Sequence, residues 1–349
     1  MNIVTIILVV IIIVLLLLCT CKHSEYFSIS SKTPLLLEKI VTLNDHRTTV
    51  KILQGNTNKH LILVYGGPLD QRCWTPLLEE LATLSSKGKQ IPTVYTYDLR
   101  GNGTACTVPI PNHTQTSWTL DSYMQDLYQI YSQLVKPAKV SIGGWSFGGL
   151  VAQKFALTYP KLIENLFLFS TVGSSIPVFN IQQIYTSWIS PNTHIDYLTL
   201  PATNVQDHLC RWFYVNNKTL CPTNNDTKDQ TKTDYYFLAQ NLLTVANARA
   251  HMQTMKIYTS FDLLTQWTKA TNINYHVYIL STRDDIVAEA NAMSKLFVTI
   301  RDAQRKLKNT GKGGYPIVLD IVNGKHFFTF SNPGYIANII VQDTVNLNK

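Results

Sequence analysis

Four glycines crowd around one hydroxyl in the stretch Gly143-Gly144-Trp145-Ser146-Phe147-Gly148-Gly149. Ordered glycine costs conformational entropy, so such a cluster needs a geometric reason. One reason is a plain glycine-rich turn. The other is a turn so tight that the neighbours of the serine cannot carry a Cβ. The flanks favour the second. Val140-Ser141-Ile142 precedes the cluster as a strand would, and Leu150-Val151-Ala152 opens a helical pattern behind it. That context makes G-x-S-x-G a nucleophile elbow, in which Ser146 holds a strained backbone and lifts its Oγ above the sheet. Gly144 and Gly148 then face each other too closely for side chains.

A serine hydroxyl is a weak nucleophile until a base takes its proton, so this reading demands a histidine and an acid to orient it. In this kind of fold the chain order is serine, acid, histidine. His326, in "NGKHFFTFSNPGY", combines that order with a place just after the last predicted strand. His46 and His60 precede the serine, His113, His194, His208 and His251 fall in loops or an insertion, and His276 lies inside a strand. The acid is one of two neighbours in "STRDDIVAEA", Asp284 or Asp285, beyond the carboxyl end of a strand. The charge that develops on the substrate oxygen needs donors already in place. The amide of Phe147, directly after the nucleophile, is one. The amide of Gly67, after the strand "HLILVY", is the other, because Pro68 has no amide hydrogen.

These groups need elements to converge them. Strands are predicted over 36–43, 49–53, 60–65, 93–97, 139–142, 162–169, 275–280 and 317–322. Helices are predicted over 77–84, 119–135, 147–159 and 288–307, with a last one after Pro333. Such alternation implies a mostly parallel sheet with helices on both faces. Over 174–271 the alternation stops. That region is aromatic-rich, with helical stretches at 235–254 and 260–267, and reads as an inserted, mainly helical lid. The α/β core is then 34–173 and 272–349.

The chain has 349 residues, 45% hydrophobic and 15% charged, enough for one large core with an insertion, which excludes a disordered protein. Its net charge of +8 is scattered, with no basic stripe interleaved with aromatics, so no nucleic acid partner is expected. No CxxC or Cys/His cluster suggests structural zinc, and no metal is expected. Ile3 to Leu18 are apolar except Thr5, close to the length that crosses a bilayer. Residues 1–21 therefore read as a signal or signal anchor. The expected location is the secretory pathway, with a membrane-anchored lumenal or extracellular domain if the leader is retained and a secreted one if it is cleaved. Sequons at Asn102, Asn112, Asn217 and Asn225 agree with that compartment. So do four further cysteines, for which the expected pairs are Cys73 with Cys106 and Cys210 with Cys221.

Five short motifs, in order, carry a resemblance: "YGGP" followed by Trp74, "YDLRGNG" at 97–103, "GWSFGG", "RDDIV" and "KHFFTFSNP". The chain resembles the α/β-hydrolase superfamily in its cofactor-independent serine branch. The resemblance implies an α/β-hydrolase fold with an eight-stranded sheet, a lid, no cofactor, and a triad of Ser146, Asp284 and His326. Asp284 is preferred over Asp285 because Ile286-Val287 then fall where the family usually has apolar residues. Asp98 and Arg100 match a motif that braces the loop beside the site. Ser146 at the nucleophile position sets aside the epoxide hydrolase and haloalkane dehalogenase branches. Tyr65 departs from the family, which commonly has His before the oxyanion glycines. "GGPLD" is near the GGPG of prolyl iminopeptidases, yet residues 174–271 contain no Glu, whereas those peptidases hold the substrate amino terminus with lid glutamates. The expected activity is hydrolysis of a small-molecule carboxylic ester. An aminopeptidase or amidase acting on a short peptide is one alternative; a non-catalytic, membrane-anchored binding protein is another.

Overall fold

The computed structural model describes residues 35–67, 69–105, 118–175, 250, 254, 257–258, 260–285, 287–324 and 326–345. Eight strands form one sheet. They are β1 (Leu36–Thr42), β2 (Arg47–Leu53), β3 (His60–Val64), β4 (Thr93–Tyr97), β5 (Val140–Trp145), β6 (Ile163–Phe169), β7 (His276–Thr282) and β8 (Ile317–Val322). Their order is β1-β2-β4-β3-β5-β6-β7-β8. β2 runs antiparallel to both β1 and β4, and every pairing from β4 to β8 is parallel.

Burial explains the sequence character of each strand. β3 (HLILV) and β6 (IENLFLF) sit centrally and are apolar along nearly their whole length, as a strand covered on both faces must be. β1 lies at an edge and buries only Val41. Among the described residues the helices are α1 (Thr75–Ser86), α2 (Leu120–Leu134), α3 (Phe147–Thr158), α4 (Leu263–Thr268), α5 (Ala290–Lys308), a one-turn α6 (Phe328–Ser331) and α7 (Pro333–Val345). α1 packs on α7, while α2, α3, α4 and α5 form a second continuous row, so the helices divide into two layers around the sheet. Thr119 starts α2 through a capping box with Ser122, and the buried Tyr123, Met124, Leu127, Ile130 and Tyr131 give that helix one apolar face. α3 is buried almost throughout, which accounts for the absence of charged residues from its first two turns.

Within the insertion, residues 174–175, 250, 254, 257–258 and 260–271 are described. Ser174 bridges to Asp262, and the Ser175 amide donates to the Phe261 carbonyl at 2.9 Å. Asp262 then caps α4 by accepting from the Thr265 amide. Trp267, fully buried, donates from Nε1 to Gln153 Oε1 of α3 at 3.1 Å. Residues 176–249, 251–253, 255–256 and 259 lie outside the described residues.

Candidate active site

Ser146 stands between β5 and α3 with φ 53° and ψ −122°, a backbone conformation a non-glycine residue rarely adopts. Close packing makes the turn possible. A Cβ on Gly144 would lie 2.4 Å from the Gly148 carbonyl oxygen, and one on Gly148 would lie 2.1 Å from that of Val64. The glycines are therefore the gap through which α3 meets β3 and β5. Three hydrogen bonds hold the strained residue. Its amide donates to Phe169, while its carbonyl accepts from the Gly149 amide and from Thr171 Oγ1, at 3.0, 2.9 and 2.8 Å respectively.

Ser146 Oγ and His326 Nε2 are 3.0 Å apart, both residues being buried. The histidine arrives on the loop after β8. That loop is fixed to the elbow by Trp145, whose Nε1 donates to the His326 carbonyl at 2.9 Å and whose ring lies 5.1 Å from the imidazole. Sequence reasoning missed this role for Trp145, although its place as the residue before the nucleophile was visible. On the other side of the imidazole, Nδ1 donates to Asp285 at 2.9 and 3.1 Å.

The acid expected from the resemblance, Asp284, does not occupy this position. Its side chain is exposed, and its amide donates to the Gly324 carbonyl at 3.0 Å. The turn after β7 places the next residue inward instead. The Asp285 carboxylate accepts from the Val287 and Ala288 amides, each at 2.8 Å, as well as from His326. Burial alone would raise the Asp285 carboxyl, but the adjoining imidazole and the two amides outweigh it and hold the group below the ordinary carboxylate value. It is thus an anion aligned on the imidazole.

Of the two expected oxyanion donors, Phe147 follows Ser146 directly and Gly67 follows the strand β3. Phe147 is the first residue of α3, so its amide belongs to the unpaired first turn of a helix, where negative charge is favoured. Gly67 follows Gly66, which packs against the nucleophile so closely that a Cβ there would sit 2.5 Å from Ser146 Cβ. Tyr65, the departure from the family pattern, has a structural task. Its hydroxyl oxygen accepts from the Leu99 amide at 2.8 Å, tying the loop after β3 to the loop after β4. Burial, with Asp98 and Asp70 adding to it, pushes the Tyr65 phenol well above its ordinary value, so it remains neutral.

Asp98 and Arg100 brace that second loop. The Asp98 carboxylate accepts from the Gln71 amide and Nε2 and from the Thr104 amide and hydroxyl, at 2.7 to 3.0 Å. Arg100 forks onto Asp126 at 2.7 and 2.8 Å and reaches Asp45 at 3.1 Å. Donor atoms of Asp45, His46 and Asp126 all lie within 4.8 Å of one another, a spacing that could hold a cation. The Arg100 guanidinium already supplies the positive charge to both carboxylates.

Fold and site together define a class. Residues 61–339 match the alpha/beta hydrolase family, and the chain belongs to that family. It is 31% identical over 134 residues to a pimeloyl-[acyl-carrier protein] methyl ester esterase of Citrobacter koseri, a match covering 38% of this chain and 43% of the esterase. It is 25% identical over 243 residues to a 1-acylglycerol-3-phosphate O-acyltransferase of Saccharomyces cerevisiae, covering 63% of this chain and 59% of the transferase. The chain thus spans roughly half the length of these curated relatives. Among solved structures, the enol-lactonase of Burkholderia xenovorans superposes with a TM-score of 0.62 at 15% identity, covering 87% of this chain and 98% of the lactonase, a likeness of fold.

Two further expectations change, and the Asn102 sequon, inside the motif loop where glycan would crowd the site, is settled. Placement in the secretory pathway as a membrane-anchored protein is corrected, since no helix among the described residues is long and apolar enough to cross a membrane and the similar proteins are by name an esterase, an acyltransferase and a lactonase. Residues 1–21 themselves lie outside the described residues. The pairing of Cys73 with Cys106 is also corrected, because Cys73 is a free thiol, 3% exposed within the core. Cys106, Cys210 and Cys221 lie outside the described residues. The sequon at Asn102 is closed to glycan in the folded chain: the residue is 2% exposed and its Nδ2 donates to the Leu69 carbonyl at 3.1 Å. Asn112, Asn217 and Asn225 fall outside the described residues.

Proposed function

We propose that the chain is a serine hydrolase that cleaves a carboxylic ester through Ser146, His326 and Asp285. One observation carries this reading: an imidazole hydrogen-bonded at 3.0 Å to the hydroxyl of a strained elbow serine and at 2.9 Å to a buried carboxylate. His326 takes the Ser146 proton as Oγ bonds to the substrate carbonyl carbon, and the carbonyl π pair moves onto oxygen. The amides of Phe147 and Gly67 receive that oxyanion. Collapse breaks the bond to the leaving alcohol, which departs with the proton from His326. Water then repeats the sequence on the acyl-serine, and Asp285 offsets the imidazolium charge in both halves. Ester chemistry is favoured by the methyl ester esterase among the similar proteins. The test is a panel of small aryl and alkyl esters beside aminoacyl and prolyl amides, run on wild type and Ser146→Ala. Ester turnover that falls at least about a thousandfold in Ser146→Ala supports the reading. Turnover confined to the amides, or unchanged in the variant, contradicts it.

A further inference from the structure

Gly144 and Gly148 make room for backbone, whereas Gly149, the last glycine of the motif, makes room for a side chain. A Cβ on Gly149 would lie 2.5 Å from both the Cβ and the Oγ1 of Thr171. The glycine thus opens the flank of α3 to that one residue, which reaches through to the nucleophile. Thr171, 2% exposed, donates from Oγ1 to the Ser146 carbonyl at 2.8 Å. Ser170, which delivers it, stands just past β6 with φ 43°, in the left-handed region that non-glycine residues seldom enter. The Ser170 amide donates to the Leu280 carbonyl at 2.9 Å, tying this turn to β7. Among the described residues, Ser146 and Ser170 are the two non-glycine positions with positive φ, both are buried, and the Thr171 hydroxyl joins one to the other.

We infer that Thr171 is a positioning residue for the oxyanion hole, acting through the peptide unit between Ser146 and Phe147. The inference rests on the hydrolase reading above, in which the Phe147 amide receives the oxyanion. That amide and the Ser146 carbonyl belong to one planar trans peptide, so the N–H and the C=O point in opposite directions and turn together. The Ser146 ψ of −122° sets the plane, in a conformation that backbone sterics disfavour. Two donors hold it: the Gly149 amide at 2.9 Å from within α3, and Thr171 Oγ1 from outside the helix. The first comes with the helix itself. The second requires a hydroxyl at the end of a strained turn. With its carbonyl pinned on one side, the peptide aims the Phe147 N–H to the other before substrate arrives, which is the preorganisation an oxyanion donor needs. A carbonyl that accepts hydrogen bonds also polarises its own peptide, so the N–H becomes a stronger donor. Thr171 acts on the reaction through this peptide alone.

The test compares wild type, Thr171→Val, Thr171→Ser and Ser146→Ala. Valine keeps the shape and loses the donor; serine keeps the donor and loses a methyl group. Three quantities are read: kcat and KM on a hydrolysed ester, inhibition by a trifluoromethyl ketone that forms the oxyanion adduct on serine, and the thermal midpoint. Thr171→Val is expected to lower kcat about tenfold to a hundredfold with KM within about twofold, and to weaken ketone inhibition by a similar factor. Thr171→Ser is expected to recover most of both, so that activity follows the hydroxyl and not the midpoint. The pair Thr171→Ser and Thr171→Ala, which differ only by the hydroxyl, makes the same comparison in a smaller side chain and stands alone if the valine variant does not fold. Wild-type kcat in the variants lacking the hydroxyl overturns the inference, as do a loss confined to KM, equal losses with and without the hydroxyl, or a loss of kcat with ketone inhibition intact. In each of those outcomes wild type still hydrolyses the ester and Ser146→Ala does not, so the hydrolase reading stands. An inert wild type overturns both.

Discussion

Which of two adjacent aspartates holds the histidine is decided by one residue of turn geometry. Asp285 is buried and accepts from the imidazole, whereas Asp284 points to solvent. Asp285→Asn is expected to lower kcat/KM about a thousandfold to ten-thousandfold, since an amide in this place favours the wrong imidazole tautomer. Asp284→Asn should stay close to wild type. Steady-state kinetics of the two variants on one ester separates the positions; equal losses, or the reverse order, contradict the assignment. The sequence could show that an acid belonged there but not which one, because both residues are the same type and the choice rests on how the chain leaves β7. Ser146 and His326 were legible individually, the first from its glycines and the second from chain order.

At the scale of elements, the candidate site depends on how closely α3 and the loop after β3 approach the elbow. Gly148→Ala would press a methyl group against the backbone of β3 and is expected to destabilise the fold by more than about 2 kcal/mol, read from the midpoint of urea unfolding. Tyr65→Phe removes the acceptor of the buried Leu99 amide and should cost about 1–3 kcal/mol, with a fall in kcat as the oxyanion loop loses its tie. A Tyr65→Phe enzyme with wild-type stability would show that the phenol is not that tie. The strands were readable because central parallel strands are apolar runs, and β4 and β8 coincide with their predicted spans. β5 extends three residues past its predicted end, to Trp145. Gly143 and Gly144 look like turn residues in the sequence, yet they are extended; a Cβ on Gly143 would meet Leu63 Cδ2 at 2.6 Å. They are glycine because neighbours press on the strand, a cause that local sequence does not display.

At the scale of the whole molecule, Asp98 links stability to pH. Burial, then the nearby Asp70, push its carboxyl from 3.8 up to about 6, against the pull of its donors. Below 3.8 the group is protonated in folded and unfolded chains alike and has no effect on the balance. As pH rises the unfolded chain ionises first, so the folded state loses relative stability until about 6, by on the order of 3 kcal/mol at most. Urea unfolding of wild type and Asp98→Asn across this window should show a flatter dependence in the variant; parallel curves contradict it. The membrane expectation arose from the apolar run at 3–18, with the sequons and the cysteine count in agreement, and such a run speaks of itself, without reporting on the domain that follows. The pairing of Cys73 with Cys106 failed for a related reason: an even number of thiols carries no distances, and Cys73 is packed among core side chains.

The most direct test of the central claim is covalent labelling by a fluorophosphonate, followed by intact-mass and peptide-level mass spectrometry of wild type, Ser146→Ala, His326→Ala, Asp285→Asn and Asp284→Asn. The expected result is a single adduct on Ser146 in wild type and Asp284→Asn, none in Ser146→Ala, and strongly slowed labelling in His326→Ala and Asp285→Asn. No adduct on wild type under conditions that label a control hydrolase, or an adduct on another residue, contradicts the proposed mechanism.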